Sequence, residues 1–432
     1  MKRSFRGDAA YAIVGRSVNV REPCVTARRH HKRVLVYSHD SFGLGHLRRC
    51  RAIAHSLVDA DPAVSILILS GSPIIGSFDF RSRVDFVRVP GVIKLRNGEY
   101  VSLNLHIDID EMLAMRSSII RHTADIFDPD LLIVDKEPLG LRGEVRDTLD
   151  MLQRRGTALV LGLRDVMDDP EALESEWERK QVVPALAEYY DEIWVYGLPE
   201  ICDPLAGLAV PKGVHERMTY TGYLRRTAGD LPLTPDLLGI IDKDFLLVTP
   251  GGGGDGEALV DLVLSAYEND RDIQNPALLV FGPFMLPEQR AAFSSRVARL
   301  DKVRAITFSA RLESLMARAA GVVAMGGYNT FCEILSFDKR ALIVPRIAPR
   351  MEQFIRTKHA AELGLLSMLS EQEGRDPRVM AAALRRLPQQ PLPSAVLIPG
   401  LLDGMPVVNQ RARTLLDQGR ARCFAARARF GT

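Results

Sequence analysis

Short apolar runs alternate with longer amphipathic segments over most of the chain. From Leu47 to Val58, apolar residues recur with the i, i+3, i+4, i+7 spacing of a helix that buries one face. The runs between such segments are rich in β-branched residues and are bounded by turn residues, which is typical of strands in parallel βαβ units. The first half of the chain is predicted to contain strands at residues 34–37, 64–69, 84–89, 131–134, 158–163 and 193–196.

The alternation weakens between residues 223 and 242, where residues 227–236 contain two prolines and indicate a linker. It then resumes, and further strands are predicted at residues 245–249, 277–281, 303–308, 321–325 and 342–344. The pattern therefore predicts an α/β protein with two tandem Rossmann-like domains, each built on a parallel sheet. Because ligands of such sheets bind beyond the carboxyl ends of the strands, we expect the active site in the cleft between the domains.

Length and composition agree with two domains, since a chain of 432 residues with 47% hydrophobic content is too long for one ordinary core. The first 33 residues carry nine Lys or Arg against two acidic residues, which favours a disordered arm over an organelle transit peptide. The predicted organisation is a basic arm over 1–32, a first domain over 33–225, a linker over 226–243, a second domain over 244–388, and a Pro-rich segment with a C-terminal helix over 389–432.

The charge balance and the cysteines exclude several classes of protein. A formal net charge of +2 argues against nucleic acid as a partner. Five scattered cysteines without a C-x-x-C pair indicate neither a disulfide framework nor a zinc site, and they favour the cytoplasm. No apolar run approaches the ~18 residues of a membrane span. Six arginines between residues 411 and 429 favour a solvated helix face, with contact to a membrane surface as the alternative.

A glycine-rich turn follows the first predicted strand. Gly43 and Gly45 allow a ligand to approach the backbone, and His46 stands at the start of the next helix. The helix dipole disfavours an imidazolium there, so a neutral His46 suited to accept a proton is one interpretation, and a histidine that only caps its helix is the other. Asp40 is the second candidate catalytic residue, and Asp40 and Asp135 are the alternative bases because both lie at strand ends.

The second half has two more turns of this kind. Four glycines at 251–254 leave backbone amides free for an anionic oxygen, but they lack the Lys-Ser/Thr of a P-loop and the G-x-G-x-x-G of a dinucleotide site. ATPase and hydride-transfer functions are therefore disfavoured. Gly326 and Gly327 end another strand and open a helix that carries Thr330 and Glu333. Such a helix start suits a diphosphate, and Glu333 suits a ribose diol, although an ordinary strand-to-helix turn has the same pattern.

The segments 248–256, 321–333 and 345–353 together resemble the donor-binding domain of GT-B glycosyltransferases of family 28, of the type that adds N-acetylglucosamine to the lipid-linked peptidoglycan precursor. The resemblance is clearest over 245–363 and weaker over 34–61. It implies that the second domain binds a nucleotide-sugar and the first an acceptor. It also implies that Gly252 and Gly253 approach the diphosphate, together with Gly327 and Thr330.

The same resemblance implies roles for further residues. Glu333 would hold the ribose hydroxyls, Glu352 and Gln353 would contact the donor sugar, and the uracil would lie near Phe308 and Ser309. The chain departs from the family where Gly254 or Asp255 replaces a serine and where a Glu stands at 352, which leaves the identity of the sugar open.

Two other patterns bear on the chemistry. The run Gly43-Leu44-Gly45-His46-Leu47-Arg48-Arg49-Cys50 also resembles the G-x-G-H-x-x-R-C of nucleotide-sugar hydrolases in pseudaminic acid synthesis. Asp108 and Asp110 form a D-x-D, a motif that binds a metal in the other glycosyltransferase fold, but here a cap for the following helix is favoured.

The sequence therefore predicts a cytoplasmic, metal-independent GT-B glycosyltransferase of the hexosyltransferase type, without a cofactor. Its donor would be a nucleotide-sugar, by resemblance a UDP-sugar, and its acceptor a lipid, a glycan or a small molecule. A nucleotide-sugar hydrolase or epimerase of the same fold, or a binder without activity, is the alternative.

Overall fold

Two parallel sheets covered by helices account for most of the chain. The computed structural model describes residues 31–39, 45–94, 99–228, 244–251, 254–309 and 311–419. Most of the predicted arm and most of the predicted linker lie outside these residues, and Lys32, assigned to the arm, is the first residue of the first strand. No helix within the described ranges is long and apolar enough to cross a membrane.

The first sheet has seven strands in the order β3-β2-β1-β6-β7-β8-β9, and all neighbouring pairs are parallel. The order reverses between β1 and β6, so a crevice opens at their carboxyl ends. A separate antiparallel hairpin, β4-β5, precedes the second helix. The strands are β1 (Lys32–Ser38), β2 (Val64–Ser70), β3 (Val84–Arg88), β4 (Val92–Lys94), β5 (Tyr100–Ser102), β6 (Leu131–Asp135), β7 (Ala158–Arg164), β8 (Glu192–Tyr196) and β9 (Met218–Tyr220).

Helices cover both faces of this sheet. The α1 helix buries its predicted apolar face, and Cys50, Ile53 and Leu57 share one core with residues of the sheet. The helices are α1 (Gly45–Ala60), α2 (Ile109–Phe127), α3 (Arg146–Arg155), α4 (Pro170–Arg179), α5 (Val182–Glu188) and α6 (Lys212–His215).

The second sheet has six parallel strands in the order β12-β11-β10-β13-β14-β15 and reverses between β10 and β13. Its strands are β10 (Leu246–Thr249), β11 (Ala277–Val280), β12 (Val303–Ile306), β13 (Gly321–Ala324), β14 (Ala341–Ile343) and β15 (Ser367–Met368). The remaining helices are α7 (Glu257–Asn269), α8 (Pro287–Val297), α9 (Leu312–Arg318), α10 (Tyr328–Ser336), α11 (Glu352–Glu362), α12 (Glu371–Gly374), α13 (Pro377–Arg386) and α14 (Gly404–Asp417).

The last helix, α14, returns to the first domain and packs against α1. Apolar residues of α14 join the core beneath α1. Polar contacts border this packing: Arg411 pairs with Glu192 at 2.5 Å, and Asp417 pairs with Lys32 of β1 at 2.7 Å. The first domain is therefore built from both ends of the described chain.

The structure confirms the prediction of two tandem Rossmann-like domains with parallel sheets. All the predicted strands are present, with ends within two residues of the predicted ones. The strands that the sequence did not predict, β4, β5, β9 and β15, have only two or three residues each. A run that short contains too few positions to show a two-residue period.

Candidate active site

A cleft of about 1430 Å³ lies between the two domains at the carboxyl ends of their central strands. Among the described residues that line it, twelve are Lys or Arg and six are Asp or Glu. The whole chain carries a formal charge of only +2, so positive charge is concentrated at the cleft. A cleft of this kind attracts anionic ligands.

His46 and Asp135 form a close pair on the first-domain side of the cleft. His46 is in the first turn of α1, and Asp135 ends β6, the strand beside β1. Nδ1 of His46 lies 2.5 Å from Oδ2 of Asp135. One helical turn further, Arg49 donates to both oxygens of Asp135, from Nε and Nη2 at 2.8 Å each. Asp135 and Arg49 are each only 2% exposed, so the carboxylate that His46 contacts is shielded from water.

Burial and charge set the protonation of this group. Burial lowers the pKa of His46 below its ordinary value of 6.5, the charges of Arg49 and Lys136 act in the same direction, and Asp135 opposes them. Burial alone would raise the pKa of Asp135, but Arg49 and His46 hold the pKa of this carboxyl well below its usual range. A neutral imidazole that donates from Nδ1 to Asp135 keeps Nε2 as its proton acceptor. Since His46 lines the cleft, this arrangement suits a general base.

The turn between β13 and α10 faces the same space. Gly326 has φ +80, and a Cβ there would lie 2.6 Å from Oγ1 of Thr357, so only glycine fits. Gly327 lines the cleft, and a Cβ on it would meet no atom within 4 Å. It is the N-cap of α10 and has no side chain to occupy the first amides of the helix. These amides and the hydroxyl of Thr330, which also lines the cleft, are available to an anion.

The two turns are joined across the domains. Nδ2 of Asn329, in the first turn of α10, donates to the carbonyl of Gly45 at 2.9 Å. Nη2 of Arg226 donates to Oδ1 of the same asparagine at 2.7 Å. These contacts bring the start of α1, with His46, beside the start of α10.

The glycine turn after β10 is described in part. Gly251 and Gly254 line the cleft, whereas the predicted diphosphate residues Gly252 and Gly253 lie outside the described residues. Asp40 and Gly43 of the first-domain turn lie outside them as well. Asp255 forms an ion pair with Arg346, which follows β14. The guanidinium compensates a carboxylate that would otherwise repel a diphosphate at this turn.

Glu333 is fully buried rather than open to the cleft. Nη2 of Arg48 lies 2.5 Å from Oε1 of Glu333 and 2.5 Å from Oε1 of Glu313. Burial raises the pKa of Glu333, and its other oxygen makes no hydrogen bond to the described residues. Arg48 and Glu313 line the cleft in its place. The predicted contact of Glu333 with ribose would therefore require Arg48 to move.

Glu352 and Gln353 lie in the first turn of α11, and both line the cleft. Glu352 pairs with Arg164 at the end of β7, and this cation is the main reason why the pKa of Glu352 is about 2 although burial acts in the opposite direction. The side-chain amide of Gln353, oriented to satisfy both of its hydrogen bonds, donates to the carbonyl of Met325 at 2.8 Å and accepts from Nε of Arg346 at 3.3 Å.

The interface between the domains contains a buried ion pair that sequence reasoning missed. Arg356 of α11 donates to both oxygens of Asp165, at 2.7 and 2.6 Å, and both residues are fully buried. Tyr223 donates to the same carboxylate at 2.7 Å, and Nη1 of Arg356 donates to the carbonyl of Gly326 at 3.0 Å. The second domain's glycine turn is thus tied to a carboxylate of the first domain.

The remaining predicted residues are placed as follows. Phe308 is 46% exposed and lines the cleft with Ser309, whose Oγ accepts from the backbone N–H of Arg311. Asp108 caps α2 by accepting from the backbone N–H of Asp110 at 2.7 Å, which confirms the helix-cap interpretation. No group of three His, Cys, Asp or Glu suited to a metal ion occurs among the described residues.

Comparison with known proteins identifies the second domain. Residues 245–393 match the glycosyltransferase family 28 C-terminal domain. The second half of the chain thus carries a family 28 C-terminal domain. This match confirms the resemblance predicted from the glycine turns and the segment that contains Glu352 and Gln353.

Solved structures identify the fold of the whole chain as GT-B. The calicheamicin glycosyltransferase CalG4 has a TM-score of 0.53 at 16% identity, over 93% of this chain and 100% of that one. UGT2 of Phytolacca americana has 0.57 at 14%, over 92% and 95%. A Listeria monocytogenes protein assigned as a UDP-N-acetylglucosamine 2-epimerase has 0.56 at 12%, over 90% and 96%. No curated protein matches the chain in sequence.

At these identities the solved structures establish the fold alone. Together with the family match, they support the coarse prediction of a nucleotide-sugar-dependent glycosyltransferase of the GT-B fold. The donor sugar, the hexosyl specificity, the acceptor and the roles of individual residues stay predictions.

Proposed function

We propose that this protein transfers a sugar from a nucleotide-sugar donor, with UDP as the nucleotide, to a hydroxyl of an acceptor bound by the first domain. The observation that carries the proposal is the His46–Asp135 pair, in which His46 lines the same cleft as the diphosphate-type turn at Gly327. His46 supplies a proton acceptor, and the backbone amides that follow Gly327 supply dipoles for a departing diphosphate. Both are needed to move a glycosyl group without a metal ion.

In the proposed reaction, Nε2 of His46 takes the proton of the acceptor hydroxyl as its oxygen bonds to the anomeric carbon of the sugar. The bond between that carbon and the diphosphate oxygen breaks, and the nucleoside diphosphate leaves with the electron pair. Asp135 stabilises the imidazolium that forms at His46, and Arg49 keeps Asp135 ionised and in position. The imidazolium then releases its proton to water.

The donor is proposed to lie along the second domain. The amides at the start of α10, Thr330 and the turn at 251–254 would hold the diphosphate, and Phe308 and Ser309 would border the base. Glu352 and Gln353 would orient the sugar, and Glu333 would take the ribose hydroxyls once Arg48 withdraws. The amide dipoles then carry the charge that grows on the leaving group, in an environment with little water.

Hydrolysis of the nucleotide-sugar is the second candidate, and the role of Arg49 favours it. Arg49 is the arginine of the hydrolase-like G-x-G-H-x-x-R-C, and it holds the carboxylate that orients His46. The same base would then activate water instead of an acceptor hydroxyl. An epimerase of this fold is a further alternative.

Incubation with radiolabelled UDP-sugars, alone and with lipid or small-molecule extracts, distinguishes these functions. A transferase moves label into an acceptor only when extract is present, a hydrolase releases free sugar without it, and an epimerase returns a UDP-sugar of changed mobility. His46→Ala serves as the control for contaminating activity. Binding of UDP without turnover under every condition would overturn the proposed enzyme activity.

A further inference from the structure

A buried lysine stands directly beside the proposed base. Lys136 follows Asp135 at the end of β6 and lines the cleft, with 12% of its side chain exposed. Its positive charge contributes to the lowered pKa of both His39 and His46, although burial is the main cause in each case. The rings of His39 and His46 are themselves in edge-to-face contact, with centroids 5.6 Å apart. Lys136 has no role in the reaction proposed above.

The backbone at Lys136 is unusual. Lys136 has φ +70, a left-handed conformation that residues other than glycine seldom adopt. The backbone N–H of Glu137 donates to the carbonyl of Asp135 at 2.9 Å, which closes a tight three-residue turn centred on Lys136. Strained turns of this kind persist where surrounding structure enforces them, and they cluster at functional sites. The turn keeps Asp135 on His46 and Lys136 in the cleft at the same time.

The ammonium of Lys136 lacks the partners that its neighbours have. Within the described part of the chain it makes no hydrogen bond, and its closest carboxylate oxygen is Oε1 of Glu137 at 3.7 Å. Lys180 takes the other oxygen of Glu137 at 2.9 Å and also binds Glu176 at 2.6 Å. Arg164 is paired with Glu352. A lysine ammonium can donate three hydrogen bonds, so Lys136 keeps donor capacity that faces the cleft.

The pKa of Lys136 agrees with this lack of hydrogen-bond partners. Burial, together with the charges of Arg164 and Arg350, lowers the pKa of Lys136 to about 8, although Glu137 and Glu352 act against it. The carboxylates among the described residues therefore compensate the charge of Lys136 only in part. An oxyanion bound in front of Nζ would supply the missing compensation.

We infer that the acceptor carries an oxyanion, a carboxylate or a phosphate, that binds Nζ of Lys136 while a neighbouring hydroxyl lies at Nε2 of His46. This inference rests on the proposed function and narrows its acceptor to a hydroxylated anion, for example a sugar acid or a sugar phosphate. The surplus of cations in the cleft, twelve against six acids, serves an anionic acceptor as well as an anionic donor. Lys136 is then a residue that determines acceptor specificity.

The test uses calorimetry on the full chain with UDP at saturation, so that the diphosphate turns are filled. Glucuronate and glucose 6-phosphate are the anionic probes, one for each kind of oxyanion, and glucose is the neutral probe. We expect one or both anions to bind and glucose to bind at least tenfold more weakly. Lys136→Gly should weaken anion binding at least tenfold, and Lys136→Arg should retain most of it.

Lys136→Gly is chosen because glycine adopts φ +70 without strain, so the turn and the fold are preserved. Arg81→Met removes a cleft-lining cation that is already paired with Asp59 and should leave anion binding unchanged. Failure of UDP to bind would count against the proposed function. Binding of UDP with no anion binding, with equal binding of glucose, or with equal anion affinity in Lys136→Gly would overturn the inference about Lys136.

Discussion

The turns at the switch points of the two sheets occupy equivalent places and present different chemistry. At β1 and β6 the first domain presents ionisable side chains, with His46, Asp135 and Arg49 bonded to one another. At β13 and α10 the second domain presents backbone amides, and the residues at the turn are Gly326 and Gly327. Proton transfer needs a group whose pKa the surroundings can adjust, whereas diphosphate binding needs dipoles and room. One fold supplies both because the end of a strand can present either kind of group.

The largest effect is expected from removing the imidazole of His46, which tests whether the first-domain turn supplies the proton acceptor. His46→Ala should lower turnover by about 100- to 10,000-fold, the range for a general base, because it removes the proton acceptor that Asp135 orients. Binding of UDP should be unchanged, since the second domain is predicted to hold the nucleotide. Turnover by release of labelled sugar or product, and affinity by calorimetry, measure the two effects.

His55→Ala is the matched control, since His55 lies on the same helix and lines the same cleft. It should leave turnover within a few fold of the unmodified protein. If His46→Ala instead unfolds at a clearly lower temperature and keeps its turnover, His46 only caps α1, and the chemistry of the first domain must be assigned to another group.

The second domain is tested by adding one methyl group. Gly327→Ala should fold normally, because a Cβ at this position meets no atom within 4 Å. The methyl group would project into the space assigned to the diphosphate, so the affinity for UDP should fall at least tenfold, about 1.4 kcal/mol. Thermal unfolding and calorimetry on the same preparation check both halves of the expectation.

Gly213→Ala is the control for a glycine-to-alanine change, because its Cβ also meets nothing and it lies outside the cleft. Unchanged affinity for UDP in a folded Gly327→Ala protein would mean that the start of α10 does not contact the nucleotide.

The pH dependence sharpens the assignment of the base. Since burial lowers the pKa of His46 below 6.5, kcat/KM should stay level from neutral pH down to that value and decline only at lower pH, as the imidazole becomes protonated. In Asp135→Asn the group that raises the pKa of His46 is gone, so the decline should move to still lower pH while turnover falls. A decline centred above 6.5 in the unmodified protein would contradict a buried neutral His46.

The smallest expected effect concerns metal ions. Neither the turn at His46 nor the turn at Gly327 uses a metal ion in the proposed reaction. Asp108, the first residue of the D-x-D, caps α2. Chelation with EDTA should therefore change turnover by less than twofold. Loss of activity that Mg²⁺ or Mn²⁺ restores would require a metal at the diphosphate and a new account of how its charge is stabilised.

The features that the sequence predicted are the local ones, and the features that it did not predict depend on contacts between distant residues. The strands and glycine turns were predictable because they depend on residues close together in the chain, and Gly326, Gly327 and His46 belong to such local patterns. Asp135 is 89 residues from His46, and their pairing depends on β6 lying next to β1, which periodicity does not specify. Its position at a strand end made it a candidate base, but not the partner of His46.

Contacts between the domains were less predictable still. Arg48 and Glu333 are 285 residues apart, and Arg356 and Asp165 are 191 apart. Both pairs exist only because one domain packs on the other. The prediction that Glu333 binds ribose considered α10 alone, and a helix read alone does not reveal an arginine that reaches over from the opposite domain.

Because α14 packs on the first domain, the second domain is inserted within the first in the order of the chain. The described chain starts in the first sheet at Lys32 and ends its last helix at Asp417, which bonds to that same lysine. A fragment cut at the predicted boundary near residue 225 would leave the α1 face around Leu57 without the helix that covers it. A first domain for isolated study should therefore be spliced, with residues up to about 225 joined directly to those from about 400 onward. A circular permutant in which the chain is joined near Lys32 and Asp417 could have its new ends in another loop, and both cores would stay undivided.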